Sequence, residues 1–289
     1  MSLIFSRNSN NGELGLERIR HLAPAVFSDS AKPTLSPRYA QLRTADVLPV
    51  LADYGFVPTQ AVQKRGRKTL PEHSQHMIAF AHRDSLIDMY DSEKNERGEI
   101  ILYNSHDGSG SIKLFVGAYR FICSNGIIAG DGFQSRLRHS QANVNSFETM
   151  LANTVKRLPV MLEQIEAMRN VQLSADLQRE MATQSALTRW KWTPEFDVED
   201  AVIRGSYVTG HTVSTLLKSN RIEDTTADAW TVFNRIQENV IRGGAMIKSF
   251  TERNPNGVYR KARNINGVAE NVRVNRELWD IAEKTLELV

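Results

Sequence analysis

The sequence predicts an α+β fold, an antiparallel sheet with a central long hairpin packed against a long helix and followed by a mainly helical C-terminal region. Three observations predict it. Residues 100–103 and 112–122 are rich in β-branched and aromatic side chains, and the Asp-Gly and Ser-Gly pairs of 106–111 between them reverse a chain. Phe147, Met150, Leu151, Val155, Leu158, Leu162, Ile165 and Met168 then recur at three- and four-residue steps, the spacing of an amphipathic helix. From residue 171 onward the signals are mostly helical and joined by turns.

Taken in order, residues 1–37 carry Asn, Ser and Gly clusters with Pro24, Pro33 and Pro37, and read as an extended N-terminal arm. The α+β core domain is expected over 38–170. Thr44 reads as a helix cap, and Val47, Leu48 and Leu51 follow at helical spacing until Gly55, with Pro49 predicting a kink or a later start. Residues 59–62 and 76–82 read as strands, and 84–98 as a polar connection. Gly117 inside the second hairpin strand predicts a bulge or a close backbone approach. Pro159 should bend the long helix. In the third region, 171–289, Ser174 and Asp228 are expected caps, Gly243-Gly244 a stop, and Asn275 the start of a final helix.

Composition narrows the function classes. The 289 residues, 41% hydrophobic and 24% charged, are ordinary for a globular protein. No apolar run approaches the roughly 20 residues of a membrane span, and the N-terminus lacks a secretory pattern, so a cytoplasmic protein without a membrane partner is expected. The single cysteine, Cys123, excludes an internal disulfide and a cysteine-cluster metal site, and reads as a small buried hydrophobe. A net charge of +3 permits nucleic-acid binding without demanding it, so the placement of charge decides.

Lys64, Arg65, Arg67 and Lys68 surround Gly66 with no acid nearer than Glu72. They are either a solvated loop or a phosphate contact. Arg120, Arg136, Arg138, Lys156 and Arg157 flank the predicted sheet in sequence, and a positively charged groove results if they converge. Phe115, Tyr119 and Phe121 read as core, unless one or two of them face such a groove and stack on unpaired bases.

Ser105-His106-Asp107 contains the parts of an acyl-transfer triad, but consecutive side chains on a strand point to opposite faces, which rules that geometry out. His106 and Asp107 remain an alternative pair for acid–base or metal chemistry completed by His76, His82 or His139. No recognised metal spacing is present, and neither a metal nor another cofactor is expected. The preferred reading makes Asp107-Gly108 turn chemistry and the protein non-enzymatic.

The motifs N-S-H-D-G-S at 104–109, F-V-G-A-Y-R-F-I-C-S-N-G at 115–126 and A-W-T-V-F-N-R-I-Q-E-N at 229–239 resemble a phage- and plasmid-like family that carries a domain of unknown function, DUF932. That resemblance implies a mobile-element origin. The order of helix, strand with basic exit, long hairpin and long helix is also similar to the core of single-strand annealing proteins of the Rad and Sak types. This second likeness implies an oligomer that holds single-stranded DNA in a basic groove beside the hairpin and does not hydrolyse nucleotide. The expected function is therefore single-stranded DNA binding that promotes annealing or recombination as a homo-oligomer. The alternatives are a metal-dependent enzyme acting on nucleic acid through His106 and Asp107, and a phage protein that docks on a host factor.

Overall fold

The computed structural model describes residues 12–64, 70–87, 96–120, 125–190, 208–251 and 253–289. The fold is α+β, as the sequence predicts. The chain divides into two compact units, the first running to residue 162 together with 267–269 and the second comprising 163–266 and 270–289. The sequence placed its corresponding boundary at 170/171.

In the first unit, β1 (Phe56–Gln63), β2 (His76–His82), β3 (Glu96–Asn104), β4 (Ile112–Arg120) and β5 (Asn125–Ile128) lie in sequence order, every neighbouring pair antiparallel. The strand β6 (Gln134–Leu137) pairs with β4 on the edge it shares with β5. The β3–β4 hairpin is long, with register from Tyr103↔Lys113 to Glu96↔Arg120. Ile78, Ile100, Leu102, Leu114, Phe115 and Val116 are buried, so both faces of the central strands are covered. Covered faces explain why these runs are near-continuously apolar rather than alternating.

Strand β3 starts at Glu96, inside the stretch expected as a polar connection. Its charges are internal: the Arg97 and Glu99 side chains are 3% and 1% exposed and meet at 2.9 Å. The Arg97 guanidinium lies 5.0 Å from the Tyr119 ring centroid, and Thr59 donates to Glu99 at 3.1 Å. Burial pushes the Glu99 carboxyl up, against the opposing pull of Arg97 and the Thr59 hydroxyl. Gly117 shows the close backbone approach: a Cβ there would lie 2.4 Å from the Ile127 carbonyl oxygen and 2.6 Å from Ile101 Cδ1.

A short helix falls within the helical pattern that the N-terminal arm carries over residues 14–22, and the two later helical segments depart from the expected ones. The helix α1 (Leu16–Leu22) buries Ile19, and the turn after it buries Ala25 and Val26. The Leu14 N–H donates to the Pro58 carbonyl at 2.7 Å and the Ala25 N–H to Gln63 Oε1 at 2.9 Å, so the later part of the expected arm is laid along β1. Residues 1–11 lie outside the described residues. In α2 (Thr44–Asp53) the N-cap is Arg43, Thr44 is the first helical residue, and Pro49 sits inside. The long helix is two: α4 (Val144–Val155), opened by an Asn143/Ser146 capping box, and α5 (Leu158–Asn170), with Pro159 in its first turn. Proline is favoured there because its missing N–H would have no partner in the helix. Between α2 and α5 the chain also forms the short α3 (Arg83–Ile87).

The second unit contains α6 (Ala175–Trp190), α7 (Gly210–Leu216), α8 (Ala229–Ile241), a two-stranded ribbon of β7 (Met246–Thr251) and β8 (Asn254–Lys261), and most of α9 (Val268–Leu286). Asp228 caps α8 as expected, accepting from the Thr231 N–H at 2.9 Å. Trp230, Phe233 and Trp279 form an aromatic core with centroid separations of 5.6 to 6.3 Å. The final helix starts before Asn275, which is buried and accepts from Gln237 Nε2 at 2.7 Å.

Candidate nucleic-acid interface

One end of the sheet gathers three of the expected cations, Lys64, Arg136 and Arg138. There β1 ends, β2 begins, β3 ends, β4 begins and β6 ends, because Gln63 pairs with His76, His76 with Asn104, Tyr103 with Lys113, and Lys113 with Arg136. Four interstrand steps at about 4.8 Å each put the exit of β1 about 19 Å from β6. Lys64 follows the last residue of β1, and Arg138 follows β6. Both are exposed, as is Arg136. Arg65, Arg67 and Lys68 lie outside the described residues.

The loop at 104–111 spans the middle of this end and is held from below by a buried polar cluster. Asn104 Nδ2 donates to Thr44 Oγ1 at 3.0 Å, and Thr44 Oγ1 lies 2.7 Å from His76 Nε2. The first turn of α2 is thereby pinned to two strands. His76 Nδ1 is 2.9 Å from the Ser74 carbonyl, and the His106 N–H donates to the His73 carbonyl at 3.1 Å. The rings of His76 and His106 are 5.3 Å apart, and both residues have no exposed surface. Burial pulls His76 down to about 4, against the raising pull of the Ser74 carbonyl and Asp107. Burial, reinforced by His76 and His139, pulls His106 down to about 3. Both are therefore neutral near pH 7: the His76 ring is held by hydrogen bonds, while the His106 ring is a buried packing group with no hydrogen-bond partner on either nitrogen among the described residues, not the surface or turn residue the sequence suggests.

At the surface of the loop, Asp107 Oδ1 accepts from the Ser109 N–H at 2.9 Å and from the Ser109 hydroxyl, while Gln75 Nε2 donates to Ser109 Oγ at 2.9 Å. Burial alone would raise the Asp107 carboxyl, but the Ser109 hydrogen bonds outweigh it and hold it below the usual range. Asp107 is thus an anion in turn chemistry, as the sequence reading preferred. Tyr103 lies beneath, its hydroxyl pushed up to about 12 by burial and then by Asp107, with Lys113 Nζ 5.6 Å from its ring centroid.

Two cations here escaped the sequence reading. The Lys32 N–H donates to the His106 carbonyl at 2.9 Å, which places exposed Lys32 beside the loop. Tyr39 donates its hydroxyl to the Ser105 carbonyl at 3.2 Å and stacks on His139 at 4.5 Å. That stack draws Arg38 and Arg138, each one residue earlier, into one neighbourhood. Among the described residues none of Lys32, Arg38, Lys64, Arg136 and Arg138 makes an ion pair; Arg136 Nε donates to Ser111 Oγ at 2.8 Å. Glu72 and Asp107 are the acids adjoining this end.

The remaining candidates separate. Arg157 donates to the carbonyls of Gly132 and Gln134 at 3.2 and 3.0 Å, fixing the approach to β6, and exposed Lys156 precedes it; both lie at the other end of β6 from Arg138. Arg120 is eight residues along β4 from Ile112, at the opposite sheet end, with its side chain 5% exposed and 3.3 Å from Glu96. It is an internal ion-pair partner and leaves the groove. Phe115 and Tyr119 are buried, so neither forms a stacking platform, and Phe121 and Cys123 lie outside the described residues. Among the described residues no group of three or more His, Cys, Asp or Glu is placed to hold a metal. No helix among them is long and apolar enough to cross a membrane.

The chain is 30% identical over 277 residues to the UPF0380 protein YfjQ of Escherichia coli K12, covering 93% of this chain and 90% of that protein. It is likewise 30% identical over 275 residues to the UPF0380 protein YafZ of the same organism, with the same coverage. No solved structure matches. The profile described as "Domain of unknown function (DUF932)" matches residues 33–279, and the chain therefore belongs to the DUF932 family.

Proposed function

We propose that this protein binds single-stranded nucleic acid, DNA first of all, across the sheet end that carries the 104–111 loop. In this reading it acts in the cytoplasm as a homo-oligomer that promotes annealing or recombination for a phage- or plasmid-like element. The observation that carries the proposal is the gathering of Lys32, Arg38, Lys64, Arg136 and Arg138, distant in sequence and without ion pairs among the described residues, around one buttressed loop. Cations in such a row bind phosphates and release counterions. With Phe115 and Tyr119 buried, affinity comes from the backbone, so binding is sequence-tolerant and strongly salt-dependent. A flexible single strand follows the row around Asp107, whose charge keeps phosphates off the loop apex.

Arginine footprinting tests the placement. Modification of Arg38, Arg136 and Arg138 by phenylglyoxal, read by peptide mass spectrometry, slows when a saturating single-stranded oligonucleotide is present. Unchanged rates at all three with the oligonucleotide bound would move the site elsewhere.

A further inference from the structure

We propose that the β7–β8 ribbon is a second nucleic-acid contact, one that enters the groove of a duplex. This inference concerns the second unit and does not rest on the sheet-end reading.

Residues 246–263 carry Lys248, Arg253, Arg260, Lys261 and Arg263 against the single acid Glu252. Arg253, Arg260, Lys261 and Arg263 are exposed and make no ion pair among the described residues. Strand β8 is exposed along its length except at Gly257, and Val258 is 42% exposed. A strand whose apolar and basic side chains both face water is not explained by packing on this chain.

The ribbon is nevertheless well anchored. At its base, Ala245 and Ala262 are buried and joined by an N–H to carbonyl bond of 2.8 Å, and the Met246 N–H donates to Thr215 Oγ1 at 2.9 Å. The Tyr259 hydroxyl donates to Thr209 Oγ1 at 3.3 Å, and its ring meets His211 edge-on at 4.8 Å. The register pairs Lys248 with Tyr259, Ile247 with Arg260 and Ser249 with Val258. Tyr259 thus seats one face on α7 and leaves Val258 and Arg260 on the opposite face.

Shape selects the occupant. The major groove of B-form DNA, about 12 Å wide, admits a two-stranded ribbon, and its floor offers thymine methyl groups to an apolar side chain such as Val258. Arg253 at the tip and Arg260, Lys261 and Arg263 toward the base are separated by seven or more residues, about 20 Å of strand, enough to reach phosphates on either side of the groove. Exposed cations, with Glu252 as the single acid of the segment, complement that backbone charge.

The test uses the full chain with labelled duplex and single-stranded oligonucleotides of one sequence, titrated across salt. The Arg253→Ala/Arg260→Ala/Lys261→Ala/Arg263→Ala variant should lose about tenfold or more in duplex affinity near 0.1 M salt and shed roughly two to four contacts' worth of salt slope, at about 0.9 per contact. Lysine at the three arginine positions should restore the slope. Circular dichroism checks that the variant is folded. Duplex binding equal to wild type in the quadruple variant overturns the proposal, as does a wild-type chain that binds no duplex at low salt. Loss of binding to anionic vesicles with duplex binding intact would assign the ribbon to a membrane surface and overturn it too. Single-strand binding that survives the ribbon variant but falls with Lys64, Arg136 and Arg138 separates the two sites. The reverse pattern sinks the sheet-end reading and leaves the ribbon standing.

Discussion

Replacing His106 by Leu should flatten the acid sensitivity of the first unit. His106 is fully buried, pulled from the ordinary 6.5 to about 3 by burial and by its histidine neighbours, so the folded protein keeps it neutral while the unfolded chain protonates it. The unfolded state binds the extra proton, so the His106 contribution is complete above pH 6.5 and is lost as pH falls toward about 3. Between pH 8 and pH 5 the loss is about 1.5 pH units at 1.36 kcal/mol each, or about 2 kcal/mol. His76, held at about 4, adds a similar loss in the wild type and in the variant. Glu99, raised by burial, works in the opposite direction but is common to both chains. The difference between wild type and His106→Leu therefore isolates one residue. All four tryptophans lie at or beyond Trp190, so amide hydrogen exchange of β2 and β3 peptides, corrected for intrinsic rates, is the readout local to this unit. The ratio of protection between the two chains should change by about thirtyfold from pH 8 to pH 5. A constant ratio would show that His106 is solvated or charged in the fold.

Two further substitutions probe the sheet. Gly117→Ala drives a methyl group toward the Ile127 carbonyl and Ile101 Cδ1, and should cost about 1–3 kcal/mol in denaturant unfolding; a neutral change would mean the strands part freely there. Arg97→Ala strands the buried Glu99 carboxylate and should cost about 3–5 kcal/mol, much of it recovered by Arg97→Met/Glu99→Leu; an equal cost in the single and double variants would deny the pairing.

What the sequence disclosed follows a physical rule. Strand β2, the Asp228 cap and the close approach at Gly117 were legible because each has a local signature: an apolar run, a capping side chain before a helical stripe, a glycine inside a strand. Strand β6, Gln134–Leu137, is polar and only partly buried, so it shows no alternation, and its partner β4 supplies the reason it is a strand. The β7–β8 ribbon was read as part of a helical region because its exposed β8 has no inward face to pattern. The pin joining Thr44, His76 and Asn104 spans 60 residues of chain, and Thr44 looked like a cap since a threonine before an apolar stripe usually is one. Arg120 was indistinguishable from a surface cation until the register set Glu96 beside it, and Arg97 until the burial of β3 enclosed it with Glu99, two residues along the same strand. Arg38 and Lys32 join the interface only through the Tyr39–His139 stack and the His106 carbonyl, contacts without a sequence periodicity.

The salt dependence of single-strand binding tests the sheet-end site most directly. Wild type should bind a labelled single-stranded oligonucleotide with log affinity falling steeply against log salt, and Lys64→Ala/Arg136→Ala/Arg138→Ala should reduce that slope by about 2, three contacts at about 0.7 each. An identical slope in the triple variant, or no binding by wild type at low salt, would contradict a phosphate track beside the 104–111 loop.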